Sequence, residues 1–522
     1  MKKYRFAPGA RFIMGSALAV GMLLFPKPSS GQPVGPPHTH YPHHPVPPLP
    51  PPRQPPNIVL LTPAEQLGKD IVFDHTLSNP TGYACFTCHV PETGFASTSV
   101  SEVNEMYGIM PGIIPGRFSN RKPMTYAMSA FSPVGPAYNV TGGFYVGGSF
   151  WDGHEPNEPH QALEPFIDPN EMANSSTNGI QDPVQGGYSA LVVQKVQSRP
   201  YTRLFKQVFG PDVFTKYTTP QLYTLITKAI GAYEGSAELN PFSSKYDASQ
   251  YGTPPQTLYT LSASEERGRI LYGVGPNPSN NPNFGAAQCF QCHSSAALVP
   301  PPATDGKETF AMYCYANVGA PKNPNNPYYE NTDRISNPLG YNPLGTKYID
   351  YGLGSNPNPG TDGTKFYNTT PGDILQFRGL FKNPSLRNSD KRPYPTFVRA
   401  YMHNGVFKSL QEVVHFYNKR NIAVNAAGQE VAFNLLNGPP SGYTQLLPPP
   451  EVLDNVQNVV GYTPAQAAAL GVSGVTATNG QIGNLQLTPS QEADLINFLK
   501  ILTDGYTKPN PVANPFANPV AP

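Results

Sequence analysis

The stretch Cys85-Phe86-Thr87-Cys88-His89 decides how this sequence is interpreted. It places two thiols three residues apart with a histidine directly behind them, and Cys289-Phe290-Gln291-Cys292-His293 repeats the arrangement about two hundred residues later. The chain of 522 residues has five cysteines, so four of them belong to these two motifs. Any interpretation therefore has to explain why both thiols and the histidine are needed.

Disulfides, a zinc site and a thioredoxin-like centre explain the motifs less well than haem attachment does. A disulfide is the usual fate of cysteines in exported proteins, but it does not require this spacing. Zinc would use the two distant pairs without their histidines, and a redox centre needs one pair. C-x-x-C-H is the attachment signature of c-type haem, because thiols one helical turn apart reach the two vinyl groups while the histidine binds iron. We therefore predict two covalent haem c groups, with His89 and His293 as proximal iron ligands.

The first 31 residues predict export. Basic residues precede an apolar stretch, Phe12 to Phe25, that leads into small residues and prolines, as in a secretory signal peptide. An uncleaved membrane anchor is the alternative, although the apolar stretch is short for a bilayer. Removal of residues 1–31 takes away five basic and no acidic residues and changes the net charge from +1 to about −4. We expect a periplasmic protein and no nucleic-acid partner.

The rest of the chain divides by composition. Residues 32–57 are rich in proline and histidine and predict an extended linker, with a metal-collecting histidine tract as the alternative. We expect an N-terminal haem domain at 58–255, a C-terminal haem domain at 256–506 with an insertion at about 425–486, and a flexible tail at 507–522. The two haem motifs predict a mainly α-helical fold of two tandem cytochrome c-type haem domains, and the 63 prolines and 48 glycines predict long irregular loops between the helices.

An internal repeat supports the two domains. The sequence LTPAEQLGKDIVF precedes the first haem motif by about the same distance as LSASEERGRILYG precedes the second. Thr62 with Glu65, and Ser262 with Glu265, predict capping boxes that begin a helix in each domain. A third such opening, LTPSQEADLINFLKILT from Leu487, predicts the closing helix of the second domain.

The chain resembles the bacterial di-haem cytochrome c peroxidase family and its MauG-like relatives. The resemblance covers most of residues 60–420 and the last helix. It is carried by the order and spacing, around the haem motifs, of LGKDIVFDHTLS, FWDGHEP (150–156), EM (171–172), AIGAYE (229–234), FKNPSLRN (381–388) and AYMHNGVFKSLQEVVHFYN (400–418).

The resemblance implies catalytic roles for three residues. Trp151 stands at the family's aromatic position between the haems, which implies an electron or hole relay, whereas a core tryptophan is the structural alternative. Glu171 matches the distal glutamate that acts as general acid and base on bound hydrogen peroxide. Gln161 matches a second polar distal residue.

Tyr417 places the chain nearer the MauG-like branch. It lies on a predicted helix after His403, at the position where the peroxidase branch has an axial methionine and the MauG-like branch has tyrosine. A phenolate ligand would give the second haem a low potential and let it store an oxidising equivalent. Core packing is the alternative role for Tyr417.

Several positions depart from the family. Glu105 stands where peroxidases have a histidine that closes the resting first haem, so we expect that haem to be open unless Met106 or Met110 binds it. The family's calcium ion would use Asn120, but Val398 and Ala400 replace an expected threonine and proline. His154 replaces the arginine of WDGR for no reason that the sequence supplies. Cys314 is expected to be a buried free thiol, with an intermolecular bridge as the alternative.

The function expected from the resemblance is peroxide reduction at the His89 haem. Electrons would arrive through the His293 haem from a small periplasmic cytochrome c or cupredoxin. The alternatives are a MauG-like oxidase that acts on aromatic residues of a partner protein, and a plain di-haem electron carrier. The sequence predicts neither the electron donor nor the oligomeric state.

Overall fold

Short α-helices are the main regular elements of this computed structural model. It describes residues 60–139, 143–174, 189–251, 260–295, 307–337, 340–355, 377–456 and 482–505. Within these ranges the helices are α1 Pro63–Val72, α2 Cys85–Cys88, α3 Ser101–Met106, α4 Glu158–Gln161, α5 Ala190–Gln197, α6 Thr202–Phe209, α7 Val213–Lys216, α8 Thr219–Glu234, α9 Lys245–Tyr251, α10 Ala263–Tyr272, α11 Leu410–Lys419 and α12 Pro489–Lys500.

The strands form three small antiparallel sheets. The strands are β1 Ala137–Asn139, β2 Phe144–Val146, β3 Tyr315–Ala316, β4 Phe381–Lys382, β5 Ile422–Asn425, β6 Glu430–Ala432 and β7 Tyr443–Gln445. β1 pairs with β2, β3 pairs with β4, and β5 lies between β6 and β7. The last sheet lies within residues 422–445 and so covers the start of the predicted insertion at about 425–486. Long segments without regular structure connect these elements.

The predicted capping boxes are confirmed. The Thr62 hydroxyl accepts from the backbone N–H of Glu65 at the start of α1, and Ser262 does the same for Glu265 at the start of α10. The closing helix α12 begins behind Thr488 in the same way. Each box satisfies backbone donors that would otherwise lack a partner at a helix start.

Each half of the chain is built on a closely crossed pair of helices. α1 packs on α8 in the first half, and α10 packs on α12 in the second. A β-carbon added to Gly68 would lie 2.0 Å from the carbonyl oxygen of Ala229, and one added to Gly268 would lie 2.1 Å from that of Asp494. The two glycines hold the same place after their capping boxes. The internal repeat is therefore also a repeat of helix packing.

Two hydrophobic cores surround these helix pairs. The first includes Leu67, Ile71, Phe86, Tyr223 and Ile230, and the second includes Leu271, Tyr272, Phe310, Leu495 and Phe498. Both belong to one compact unit of the chain. Two helix-paired halves agree with the predicted arrangement, but a mainly α-helical chain is only partly confirmed, because proline- and glycine-rich segments form long loops and small sheets. The domain boundaries stay predictions.

The predicted signal peptide (1–31), the linker (32–57) and the tail (507–522) lie outside the described residues. Within the described ranges, we find no helix with the length and apolar character needed to cross a bilayer.

Candidate functional site

The first haem motif is presented by α2. The helix spans the first motif's two thiols, as their spacing predicted, and His89 follows as its C-cap. The Nδ1 atom of His89 lies 2.9 Å from the carbonyl oxygen of Phe95, to which it must donate. Burial lowers the pKa of His89 to about 4, so the ring is neutral. This hydrogen bond leaves Nε2 as the unprotonated nitrogen, which is the form that binds iron.

The second motif is arranged in the same way as the first, but its helical turn is tighter. A 3₁₀-helix spans Cys289–Gln291 and His293 follows Cys292. Its Nδ1 lies 3.3 Å from the carbonyl oxygen of Phe310. Burial lowers the pKa of His293 to about 4. Nε2 of His293 is therefore also available to a metal.

A cavity of about 900 Å³ adjoins the first motif. Cys85, Cys88 and His89 line it together with the three residues predicted to be catalytic, Trp151, Gln161 and Glu171. Two thiols and a neutral imidazole beside a cavity of this size fit a covalently attached haem. The predicted attachment residues and the predicted distal residues therefore line the same cavity.

Glu171 is held with its carboxyl group in this cavity. The hydroxyl of Ser119 donates to Glu171 Oε1 at 2.9 Å, and the backbone N–H of Ile113 donates to the Glu171 carbonyl at 2.8 Å. Burial and the nearby Asp168 carboxyl raise the pKa of Glu171 to about 8. A carboxyl group that titrates near neutral pH can both accept and return a proton.

Trp151 lines both cavities of the predicted haem sites. Its indole Nε1 donates to the carbonyl oxygen of Lys122 at 2.7 Å, and its carbonyl oxygen accepts from the backbone N–H of Lys382 at 2.8 Å. The ring of His403 approaches the indole edge-on, with centroids 6.4 Å apart, and stacks on Phe381. The indole is therefore fixed between the two sites, which is where a relay has to lie.

The second cavity, of about 150 Å³, is smaller and more apolar. His293 and Tyr417 line it, together with both thiols of the second motif. Tyr417 lies on α11, a helix that the sequence predicted, and the structure shows that this helix begins behind the N-cap residue Ser409. Burial raises the pKa of the Tyr417 hydroxyl, so the hydroxyl keeps its proton at neutral pH. The phenolate would form only if a strong electrophile such as a metal ion bound the oxygen. The donor set fits a second attached haem.

The residues that depart from the family pattern near the first haem motif lie partly at the surface and partly in the cavity. Glu105 and Met106 lie exposed at the end of α3, and neither lines the first cavity. Met110 is buried and does line it. Methionine coordination by Met106 therefore has no support, and Met110 stays a candidate ligand. Cys314 is a buried free thiol, in agreement with the prediction, and packs beside Cys292.

The predicted calcium site is less complete. The Asn120 amide donates to the hydroxyl of Tyr348 at 2.8 Å, and the carbonyl of Val398 already accepts from Asn104 at 3.1 Å. Among the residues that the structure describes, no three side chains of the His, Cys, Asp or Glu type form a metal-binding group. The calcium ion stays a prediction.

Two features of the site were not predicted from the sequence. Lys122 is a buried lysine whose Nζ donates to the carbonyls of Ala96 and Pro123, and burial lowers its pKa to about 7. Asn170, next to the distal glutamate, donates to the carbonyl of Gly340 at 2.9 Å and accepts from Asn337 at 2.8 Å. The sequence is rich in asparagine at 323–342, which could have indicated a contact of this kind. Composition alone does not show which loop these side chains bind.

Comparisons with known proteins agree with this geometry. A family model described as di-haem cytochrome c peroxidase matches residues 62–254. Over this stretch the chain matches the di-haem cytochrome c peroxidase family. It is accordingly an oxidoreductase of the cytochrome c peroxidase type.

Two curated relatives in this family are similar along most of their length. The methylamine utilization protein MauG of Paracoccus denitrificans is 28% identical over 354 residues, which is 68% of this chain and 73% of MauG. The cytochrome-c peroxidase IdrP1 of a Pseudomonas species is 27% identical over 365 residues, which is 68% of this chain and 71% of IdrP1. Among solved structures, the diheme peroxidase BthA from Burkholderia thailandensis shares the fold with a TM-score of 0.56 and 23% identity, over 86% of this chain and 88% of BthA.

Proposed function

We propose that this chain is an exported di-haem oxidoreductase that reduces hydrogen peroxide to water at the site of His89. Electrons would reach this site through Trp151 from the site of His293, where a small periplasmic cytochrome c or cupredoxin delivers them. The name of one relative, cytochrome-c peroxidase IdrP1, supports peroxide as the oxidant class.

One observation carries the proposal. The same cavity is lined by the proximal histidine His89 and by the acid–base candidate Glu171, and it shares Trp151 with the second cavity. A plain electron carrier has no use for a titratable carboxyl group in the cavity that would hold the metal. The exposed position of Glu105 further supports a site that stays open at rest.

The chain's own residues would handle the protons. A haem held by Cys85, Cys88 and His89 would supply a Lewis-acidic, redox-active iron for the reaction with peroxide. Glu171 in its ionised form would take a proton from one peroxide oxygen and return it to the other oxygen, which would leave as water. Ser119 orients the carboxyl group for both steps through its hydrogen bond. Gln161 is placed to donate to the substrate from the same cavity.

A MauG-like reaction is the second candidate, and Tyr417 favours it. A phenolate at the second haem would stabilise high oxidation states and would suit an enzyme that passes holes to a partner protein rather than accepting electrons from a carrier. Calcium near Asn120 remains part of this proposal only as a structural ion.

The test is a single mixing experiment followed by a turnover assay. Resting ferric holoprotein mixed with hydrogen peroxide should change its absorption spectrum within seconds, and Glu171→Gln should suppress that change. An unchanged wild-type spectrum would contradict the proposal. Steady turnover with reduced cytochrome c supports the peroxidase reaction, whereas a rapid peroxide reaction without turnover supports the MauG-like one.

A further inference from the structure

Glu451 brings a carboxyl group to the second cavity from outside the part of the chain that resembles the family. The resemblance covers most of residues 60–420 and the last helix, whereas Glu451 lies within the predicted insertion at about 425–486. Its side chain is only 4% exposed and lines the second cavity together with His293 and Tyr417. The predicted insertion therefore contributes a buried acidic group to the predicted site of the second haem.

Hydrogen bonds from a neighbouring loop fix the backbone around Glu451. The backbone N–H of Glu451 donates to the carbonyl oxygen of Ala320 at 3.0 Å. The side-chain amide of Asn317 donates to the carbonyl oxygens of Val452 and Asp454, at 3.0 and 2.7 Å. The place of the carboxyl group at the cavity wall is therefore set by contacts with a distant part of the chain.

Three neighbours meet the two oxygens of the Glu451 carboxyl group. The backbone N–H of Asp350 donates to Oε1 at 3.3 Å, and the side-chain amide of Asn404 donates to Oε2 at 3.5 Å. The Nε2 atom of His403 lies 3.8 Å from Oε2, which is too far for a hydrogen bond. That nitrogen has no hydrogen-bond partner among the described residues. The contact with His403 is therefore not a hydrogen-bonded ion pair.

The cations near the second cavity are engaged elsewhere. Arg121 donates to both carboxyl oxygens of Asp350, at 2.6 and 2.8 Å. Lys382 lines the cavity, and its amine donates to the carbonyl oxygen of Gly148. In the ranges that the structure describes, neither residue forms an ion pair with Glu451. A carboxylate at position 451 therefore adds a negative charge that these cations do not offset.

We propose that the Glu451 carboxylate lowers the reduction potential of the haem at the second site, and this inference rests on the proposed function. A buried negative charge favours ferric over ferrous iron, because the ferric ion carries one more positive charge and the interior screens the interaction weakly. Glu451 thus acts in the same direction as a Tyr417 phenolate. Both groups would help the second site to hold an oxidising equivalent.

The test is a redox titration of the holoprotein followed by absorbance. Glu451→Gln keeps the shape of the side chain but removes its charge. The equilibrium of the second haem should then shift toward the ferrous form by about tenfold, which is about 59 mV upward for a one-electron couple. Glu451→Asp keeps the charge and should stay near the wild-type potential. Asp454→Asn is the matched control, because Asp454 lies on the same segment with a side chain that is 54% exposed, and its potential should match the wild type.

Two results would overturn the inference. An unchanged potential in Glu451→Gln would mean that the carboxyl group adds no net charge, for example because a proton on His403 balances it. An equal upward shift in Glu451→Asp would mean that packing at this position, and not charge, sets the potential. The haem content and thermal unfolding of each variant show that the site is intact.

The peroxide reaction of the same proteins separates this inference from the proposed function. A wild type that carries two haems but does not react with peroxide contradicts the proposed function, and the potentials still decide the role of Glu451. A wild type that reacts with peroxide, with a second-haem potential that Glu451→Gln leaves unchanged, overturns this inference alone.

Discussion

The indole nitrogen of Trp151 donates to the carbonyl oxygen of Lys122 at 2.7 Å, and this bond fixes the ring that borders both predicted haem sites. The backbone N–H of Lys122 in turn donates to the carbonyl of His403 at 2.7 Å. The predicted relay residue is thus held by backbone atoms from two distant parts of the sequence. Its position is set by the fold rather than by side-chain packing alone.

Replacement of Trp151 by phenylalanine should slow electron transfer between the two haems. The smaller ring removes the bridge and the hydrogen bond, so we expect a slowing of about tenfold or more, equivalent to about 1.4 kcal/mol of barrier. Stopped-flow reoxidation of the half-reduced protein by peroxide measures it. Tyr145→Phe, at a tyrosine that lines neither cavity, is the control, and an unaffected rate in Trp151→Phe would exclude the relay.

The peroxide reaction should become faster as the pH rises through about 8. Burial and Asp168 raise the pKa of Glu171 to that value, and only the ionised form can accept the first proton. Glu171→Gln should lower the rate by about 10²–10⁴-fold and flatten the profile. Ser119→Ala removes a hydrogen bond that favours the ionised form, so its midpoint should move to higher pH. A wild-type rate that falls with pH in this range would contradict the assignment.

Methionine in place of Tyr417 should raise the reduction potential of the second haem. A thioether stabilises the ferric state less than a phenolate does, and axial ligands span roughly 0.8 V of potential. A redox titration followed by absorbance would show the upward shift. Tyr401→Phe alters a nearby tyrosine that does not line the cavity, and its potential should match the wild type. Equal potentials in all three proteins would mean that Tyr417 does not bind the iron.

Alanine at Gly68 or Gly268 should destabilise the corresponding half of the protein. The added carbon would meet a backbone carbonyl at about 2 Å, so the helices must separate, at a cost of about 1–3 kcal/mol or more. Chemical denaturation of the holoprotein measures the loss. Gly235→Ala is a matched control, because its nearest neighbour lies 3.6 Å away and its φ is −77°, and it should change stability by less than about 0.5 kcal/mol.

Local signals in the sequence predicted the parts of this molecule that depend on short spacings. The capping boxes of α1, α10 and α12, and the haem turn of α2, each need only a few neighbouring residues, and the structure has them where the sequence placed them. The sheet β5–β6–β7 was not predicted, because its three- and four-residue strands lie among glycine, asparagine and proline.

The distal site depends on contacts that no local pattern reveals. Position 154 was recognised as a departure, but its reason became visible only when Asp152 and Glu164 were found on either side of the ring. Lys122 and Asn170 carry no motif at all. Their importance comes from carbonyls and amides that other loops bring close to them. Such contacts cannot be predicted from a single sequence.

The contact between Asn170 and the 331–340 segment has a consequence for how this enzyme can diverge. Asn337 and Gly340 contact the carboxamide of Asn170, the residue next to Glu171 in the sequence. They do so although they lie more than 160 positions away in the chain. Exchange of Asn337, which is buried and does not line the first cavity, would therefore shift the loop of the proposed acid–base residue without altering Glu171 itself. Adaptation to a new oxidant could in this way begin outside the residues that line the cavity.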